Sequence, residues 1–279
     1  MAVVATGFFD GVHMGHRKVI GTLVREAQMR GDESLVVTFW PHPRTVLQNG
    51  ARTFRLLTSL DEKKELLKSL GVDRVEVLPF SRGFSRMTAE QYIREVIKDR
   101  FGGTAVVIGY DNRVGSDQAD PQKAASIARA AGLEAVVTEP FGNISSTIIR
   151  NAIHEGRIED AAEMLGYSYG LHGVVVSGKQ LGRTIGFPTA NMQLYEPLKL
   201  LPKKGAYLTE VETIDGVWHG MTNVGDIVET HLFDFNEDIY GLDIKIKFVR
   251  RVRDERTFNS VDELKAQLSI DEAVCRSLL

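Results

Sequence analysis

Along the first half of the chain, unbroken apolar runs alternate with segments of helical spacing. Residues 2–6 (AVVAT) and 34–40 (SLVVTFW) are short and β-branched, the kind of strand that a parallel sheet buries on both faces. Between them, residues 16–31 (HRKVIGTLVREAQMRG) carry apolar positions at helical intervals and stop at Gly31. Residues 57–71 (LTSLDEKKELLKSLG) predict a capped helix before the strand at 74–80 (RVEVLPF). Residues 88–102 predict another helix before 104–110 (TAVVIGY), and 122–132 a third before 134–140 (EAVVTEP). This rhythm predicts an α/β fold whose N-terminal part is doubly wound and Rossmann-like, with an open parallel sheet.

Residues 146–166 read as one or two helices closing that domain. After Tyr167 the texture changes to short, partly alternating runs at 170–178, 205–225, 226–235 and 242–254, parted by glycine or aspartate turns. These predict a small antiparallel β-barrel, closed by a C-terminal helix over 260–279. The expected division is 1–166 and 167–279, and 279 residues suit two domains better than one. Neither an internal repeat nor a low-complexity segment interrupts the pattern.

Composition narrows the partners. The chain is 43% hydrophobic with a formal net charge of −3, so no general attraction to nucleic acid or acidic membrane follows, and a polyphosphate ligand would need local groups. Cys275 is the single cysteine, which excludes an intrachain disulfide framework and a multi-cysteine zinc site and suits a reducing compartment. No stretch has the apolar length of a membrane span, and Met1 to Thr6 lacks the basic start of a signal peptide. The expectation is a soluble, cytoplasmic protein with small-molecule partners, neither nucleic acid nor membrane among them.

The first candidate site is GFFDGVHMGH, Gly7 to His16, where a first strand hands over to a helix. Open α/β sheets bind ligands at such a place, and the helix N-terminus offers unpaired N–H groups to an anion. Gly11 and Gly15 let the backbone approach a phosphate, and His13 and His16 can donate to oxygens whose charge grows as a bond between phosphates breaks. Two ordinary histidines near a helix start are the plainer reading of either residue alone. Far along the chain, ISSTIIR offers hydroxyls at Ser145, Ser146 and Thr147 at a helix start, with the guanidinium of Arg150 one turn on. Alone, such a run is as well explained as a helix cap.

In the second half, SGKQLGRTIGFPTAN combines Gly178, Gly182 and Gly186 with Lys179 and Arg183, and sets Thr189 and Asn191 two apart. In an extended segment those two point the same way, where a hydroxyl and an amide oxygen could help hold Mg²⁺ against ATP phosphates. The glycines would keep the loop before them flexible. A glycine loop entering a strand, with local turn hydrogen bonds, is the plainer alternative. Strand alternation over DIVETHLFDF sets Glu229 with Ile227, His231 and Phe233 on one largely apolar face, where a carboxylate needs a reason.

These segments resemble the HxGH nucleotidyltransferases, and GFFDGVHMGH is similar to the version in the bifunctional riboflavin kinase/FMN adenylyltransferases, the bacterial FAD synthetases. TFWPHPR, IGYDNRVG, ISSTIIR and the unsubstituted GFPTAN extend the resemblance in the family's order. It implies an N-terminal nucleotidyltransferase domain and a C-terminal riboflavin kinase barrel. Riboflavin would be phosphorylated by MgATP to FMN, and FMN adenylylated by a second ATP to FAD with release of pyrophosphate. By resemblance, Gly7, Phe9, Asp10, Gly11, Gly15, Ser145, Ser146 and Thr147 would border ATP in the first domain, with His13, His16 and Arg150 catalytic. Gly178, Gly182, Arg183 and Gly186 would cover ATP in the second, with Glu229 as base and Thr189 and Asn191 as metal ligands. Asp111 and Asn112, and in the second half Arg253 and Phe258, would border flavin, and Pro41, His42 and Pro43 would shape a neighbouring loop. A rigid turn explains the P-H-P run equally well, and a solvated charge run explains RVRDERTF nearly as well.

The chain departs from the family pattern at three loops. TNVGDIVETHL lacks the usual Arg-Pro-Thr run, Asn143 stands where a basic residue is usual, and DNRVG is compressed. An alternative is therefore a riboflavin kinase with a degenerate adenylyltransferase domain.

Overall fold

The computed structural model describes residues 1–47, 54–178 and 181–279. Lys179 lies outside them. The chain packs as two compact units, Met1–Ser146 and Thr147–Leu279.

The first unit is built on strands β1 (Ala2–Thr6), β2 (Glu33–Trp40), β3 (Arg74–Pro79), β4 (Gly103–Ile108) and β5 (Glu134–Val137). They form one parallel sheet in the order β3-β2-β1-β4-β5. The order reverses between β1 and β4, so the turn leaving β1 opens at the crevice where such sheets bind ligands. Alternation explains the unbroken apolar runs. Val3, Ala5, Val36 and Val107 face one core with Ile20 and Leu23 of α1 (Met14–Arg30), whereas Val4, Leu35, Val37 and Val106 face the other. With water excluded from both faces, each fully buried Leu, Ile or Val contributes about 1.5–3 kcal/mol.

A short helix not foreseen in the sequence, α2 (Pro43–Leu47), follows the cis Trp40–Pro41 bond. Then α3 (Leu60–Ser69) starts on a full capping box, with Ser59 and Glu62 each bonding the other's backbone N–H. The helix expected at 88–102 begins as α4 (Ala89–Gln91) and continues over Tyr92–Arg100 in wider π turns. In that winding Tyr92, Ile93, Val96 and Ile97 all reach the second core, and the Tyr92 hydroxyl meets Thr6 Oγ1 at 2.7 Å. Helix α5 (Pro121–Ala130), capped by Asp120, completes that face.

Helix α6 (Ser146–Glu155), all but its first residue in the second unit, and α7 (Ile158–Leu165) are separated at Gly156, which has a φ of +83° and no room for a Cβ against Arg251. They pack with the strands that follow, and Glu159 pairs with Arg250 at 3.0 Å.

Those strands are β6 (Gly170–Val176), β7 (Ala190–Leu194), β8 (Gly205–Thr213), β9 (Gly216–Val224), β10 (Val228–Leu232) and β11 (Asp243–Asp254). A one-turn helix, α8 (Leu181–Thr184), precedes β7. The strands close as a barrel in the order β10-β7-β6-β11-β8-β9, every pair antiparallel. The expected barrel is therefore present. Its β7 is formed by the Ala-Asn of PTAN and the residues after it, so that motif enters the barrel wall.

Helix α9 (Val261–Ser277) covers part of the barrel, burying Cys275 against Leu208, Met221 and Phe233. Its anchor is ionic. The Arg253 guanidinium donates to the Asp271 carboxylate over 2.7–3.0 Å, Gln267 adds a bond of 2.8 Å, and Asp271 is only 2% exposed. Breaking such a pair leaves a desolvated charge without its partner. Asp271→Asn is therefore expected to lower unfolding free energy by about 3 kcal/mol, read by equilibrium urea unfolding. An unchanged midpoint would show that the ion pair is not what holds α9.

Candidate active sites

The turn leaving β1 is strained. Phe9, Gly11 and Val12 have φ values of +52°, +81° and +38°, and such angles are uncommon for a bulky or β-branched residue. Hydrogen bonds from a neighbouring segment hold it. The buried Asp10 carboxylate accepts from Leu57 N at 3.0 Å, Thr58 N at 3.1 Å and Thr58 Oγ1 at 3.3 Å, and Gly11 N donates to Thr58 Oγ1 at 3.1 Å. Asp10 thus stands in the crevice as the clamp of the turn. Phe9 folds its ring over Gly7, where a Cβ would lie 3.1 Å from it.

At the start of α1 the two histidines form one unit. His13 is the N-cap, and its Nδ1 accepts from His16 N at 3.3 Å, which makes its Nε2 the protonated nitrogen. The two rings stack at 3.6 Å and 17°. Gly15 leaves room for this, since a Cβ there would lie 3.2 Å from the His13 ring. Burial first, then His13 and Lys63 nearby, hold His16 well below the ordinary histidine range, so it is neutral at neutral pH. Its Nδ1 has no hydrogen-bond partner among the described residues. Ser146 Oγ donates to Asp10 O at 3.0 Å, bringing Ser146 to the turn. Thr147 and Arg150 follow on α6, with Ser145 just before it.

Beside this turn lies a cavity of about 550 Å³, walled by Phe8, Phe39, Phe84, Met87 and Tyr92. The rings of Phe39, Phe84 and Tyr92 meet at 5.5–6.2 Å. Such a wall suits a flat, aromatic ligand. Asn112 lines it, with its amide donating to Thr6 O at 3.0 Å, whereas Asp111 is exposed and outside the lining. Pro43 reaches the cavity, and His42 meets the Phe8 ring edge-on at 3.9 Å. The aromatic residues were not singled out from sequence because each reads there as ordinary core.

In the barrel unit, Glu229 lies opposite Asn191 of β7 and Asn223 of β9. The expected apolar face is not found. Val228, Thr230 and Leu232 point into the barrel, while Glu229 and His231 are half-buried and line a second cavity of about 290 Å³. Ile227 is 55% exposed, and Phe233 lies past the end of β10, where strand alternation no longer applies. The Glu229 carboxylate makes no hydrogen bond or ion pair among the described residues, and Arg253 and Phe258 share its cavity. Arg253 is already committed to Asp271 and to Asp254 O, a role that required the folded position of α9 to see.

The glycine segment differs from a merely flexible loop. A Cβ on Gly178 would lie 2.2 Å from Asn191 Nδ2, and one on Gly182 would lie 2.2 Å from Phe187 O and 3.3 Å from Thr189 Oγ1. Gly186 has a φ of +89°. The first two glycines therefore serve close approach, and the third a left-handed turn. Thr189 stands between the Glu229 cavity and another of about 250 Å³, lined by Arg183, Phe235 and Tyr240 among others. His231, unassigned from sequence, donates from Nδ1 to Pro188 O at 2.7 Å and so ties the PTAN turn to the strand of Glu229. Among the described residues no group of three or more His, Cys, Asp or Glu side chains could hold a metal ion. None of the described helices is long and apolar enough to cross a membrane.

Comparison with known proteins agrees with this two-site arrangement. A family model for FAD synthetase matches residues 1–152, and one for riboflavin kinase matches 165–279. A bifunctional riboflavin kinase/FMN adenylyltransferase from Bacillus subtilis is 36% identical, covering 97% of this chain and 90% of its own. The relative of the same name from Listeria monocytogenes is 37% identical, covering 99% and 91%. A crystal structure from Streptococcus pneumoniae, described as a macrolide-efflux protein, superposes with a TM-score of 0.91 at 32% identity, covering 99% of this chain and 94% of its own. With both activities carried by matching halves in one chain, the protein belongs to the bifunctional riboflavin kinase/FMN adenylyltransferase family.

Proposed function

We propose that the chain makes FAD in two steps at two separate sites, with the following division of labour. In the barrel, Glu229 takes the proton of the riboflavin 5′-hydroxyl as that oxygen attacks the γ-phosphorus of ATP, forming FMN and releasing ADP. The observation that carries this role is the carboxylate itself: half-buried, without a hydrogen-bond partner among the described residues, and in one cavity with Thr189 and Phe258. Arg253 and Phe258 border the flavin, while Gly178, Gly182, Arg183 and Gly186 surround the nucleotide.

Mg²⁺ fits the donors present. Thr189 Oγ1 and Asn191 Oδ1 are hard oxygens, and Gly178 and Gly182 let the backbone pack close to them where a Cβ would collide. A bound Mg²⁺ would neutralise phosphate charge there, and phosphate and water oxygens would supply its other ligands.

In the α/β part, a phosphate oxygen of FMN attacks the α-phosphorus of ATP and pyrophosphate departs. His13 and His16 donate to the departing oxygens, with Ser145, Ser146, Thr147 and Arg150 as further donors. The backbone at Gly11 admits the phosphates, with Gly7 and Gly15 bordering them under the Phe9 and His13 rings and Asp10 shaping the turn. Asn112 and the aromatic wall receive the flavin, and Asp111 acts from the rim. Because Ser146, Thr147 and Arg150 share α6, we draw the functional boundary between residues 166 and 167. The lone thiol, Cys275, and the small-molecule substrates favour a cytoplasmic setting.

Glu229→Gln is expected to slow FMN formation roughly 10²–10⁴-fold while sparing FAD formation from supplied FMN. His16→Ala should do the reverse, slowing FAD formation roughly 10²–10³-fold. Chromatography of flavins from riboflavin, ATP and Mg²⁺ reads both, and loss of both activities in either folded variant would refute two independent sites. Gly178→Ala, which crowds Asn191, should cost the kinase step about 10²-fold and leave adenylylation intact. Chelation of Mg²⁺ should stop FMN formation, and re-addition should restore it.

A further inference from the structure

Helix α3 carries two consecutive lysines of different fate. Lys64 is partly exposed and 3.9 Å from Asp61. Lys63 is 0% exposed, and its Nζ has no hydrogen-bond partner among the described residues. The ammonium lies 3.5 Å from the centroid of the Phe8 ring. Asp10 is the opposite charge it feels, but the Asp10 oxygens already accept from Leu57 and Thr58. A buried ammonium has three N–H donors, and an aromatic face satisfies them only in part. Leaving them so is unfavourable unless an acceptor arrives.

The neighbours indicate which acceptor. Lys63 acts electrostatically on His16, and both stand around the strained turn that leads into α1. Phe8 lines the aromatic cavity beside that turn, and Lys63 is not among its lining residues. An anion at the start of α1 would therefore meet Lys63 together with the stacked imidazoles, whereas a flat ligand in the aromatic cavity would meet Phe8 first.

We propose that Lys63 is a further phosphate ligand of the HxGH crevice, donating to oxygens of the ATP triphosphate end that leaves as pyrophosphate. This rests on the adenylyltransferase reading of that site. Before ligand arrives, burial pulls the Lys63 ammonium down to about 8, and a polyphosphate in contact raises it again. The other ionisable groups coupled to it are Asp10, from the turn after β1, and His16, from α1. His16 titrates well below neutrality. Binding that needs the charged lysine is thus fully present below about 8 and weakens as pH rises past that value.

The test uses the full chain and inorganic pyrophosphate. Lys63→Met keeps the apolar stem and removes the charge, and Lys63→Arg keeps a charge that does not titrate in this range. Calorimetry should find pyrophosphate binding about 10–100-fold weaker in Lys63→Met. The KM for FMN and the rate of FMN formation should stay within about twofold, and thermal stability should be equal or higher, as relief of a buried charge implies. The loss of wild-type affinity on going from one unit below to one unit above about 8 should be smaller in Lys63→Arg. Should Lys63→Met not fold, Lys63→Gln serves in its place. Unchanged pyrophosphate affinity, a defect confined to FMN, or a lower thermal midpoint with normal pyrophosphate binding would each overturn the proposal. A wild-type chain that neither binds pyrophosphate nor makes FAD would overturn the active-site reading itself, and this one with it.

Discussion

The carboxylate of Asp10, accepting from the backbone of Leu57 and Thr58, is the tie on which the first unit's chemistry depends. Phe9 and Val12 hold positive φ angles that their side chains disfavour, and such a turn persists only when its surroundings over-determine it. Asp10 supplies that determination, aided by Gly11 N on the Thr58 hydroxyl. Because the turn is held, α1 starts where His13 can cap it and His16 can stack on His13. Because the same tie joins the turn to the segment before α3, Lys63 is buried against Phe8, within electrostatic reach of His16. One buried acid thereby positions two imidazoles and an ammonium without being required to touch phosphate.

The barrel solves a different problem by different means. Closure requires backbones to approach closely where the glycine segment meets β7, so Gly178 and Gly182 are set by contact with Asn191 and Phe187. His231 fastens the Pro188 carbonyl, just before Thr189, to the strand of Glu229. Arg253 completes the arrangement from outside, holding α9 over the cavity through Asp271. In each unit a candidate site group keeps unmet polar capacity, His16 Nδ1 in the first and the Glu229 carboxylate in the second, while Asp10 and Arg253 beside them are engaged in the fold. Preorganisation of this kind lets a site stabilise charge without reorganising at the moment of reaction.

How much of this was legible in the chain follows from the range of each interaction. The parallel sheet was readable because strands buried on both faces are apolar at every position, a local signal. The π winding over Tyr92–Arg100 was not, since it appears where Tyr92 must reach Thr6 and the core across 86 residues. The face of Glu229 was misread for a related reason. Alternation was extended past the end of β10, and only barrel closure decides which residues point inward.

The sequence by itself determined the order of elements, the two-part architecture and the candidate residues for phosphate and proton chemistry, because these depend on local spacing and on motifs a few residues long. Tertiary structure alone decided which of those residues are engaged elsewhere. Asp10 and Arg253 look from sequence like ligands for substrate, yet their charges are taken up by Thr58 and Asp271, distant in the chain. Conversely, Lys63 and Lys64 are neighbours of identical chemistry, and Lys64 stays partly exposed while Lys63 is sealed against the Phe8 ring. Burial and hydrogen-bond partnership are properties of the packed chain, and they determine whether a charge is spent on the fold or kept for a ligand.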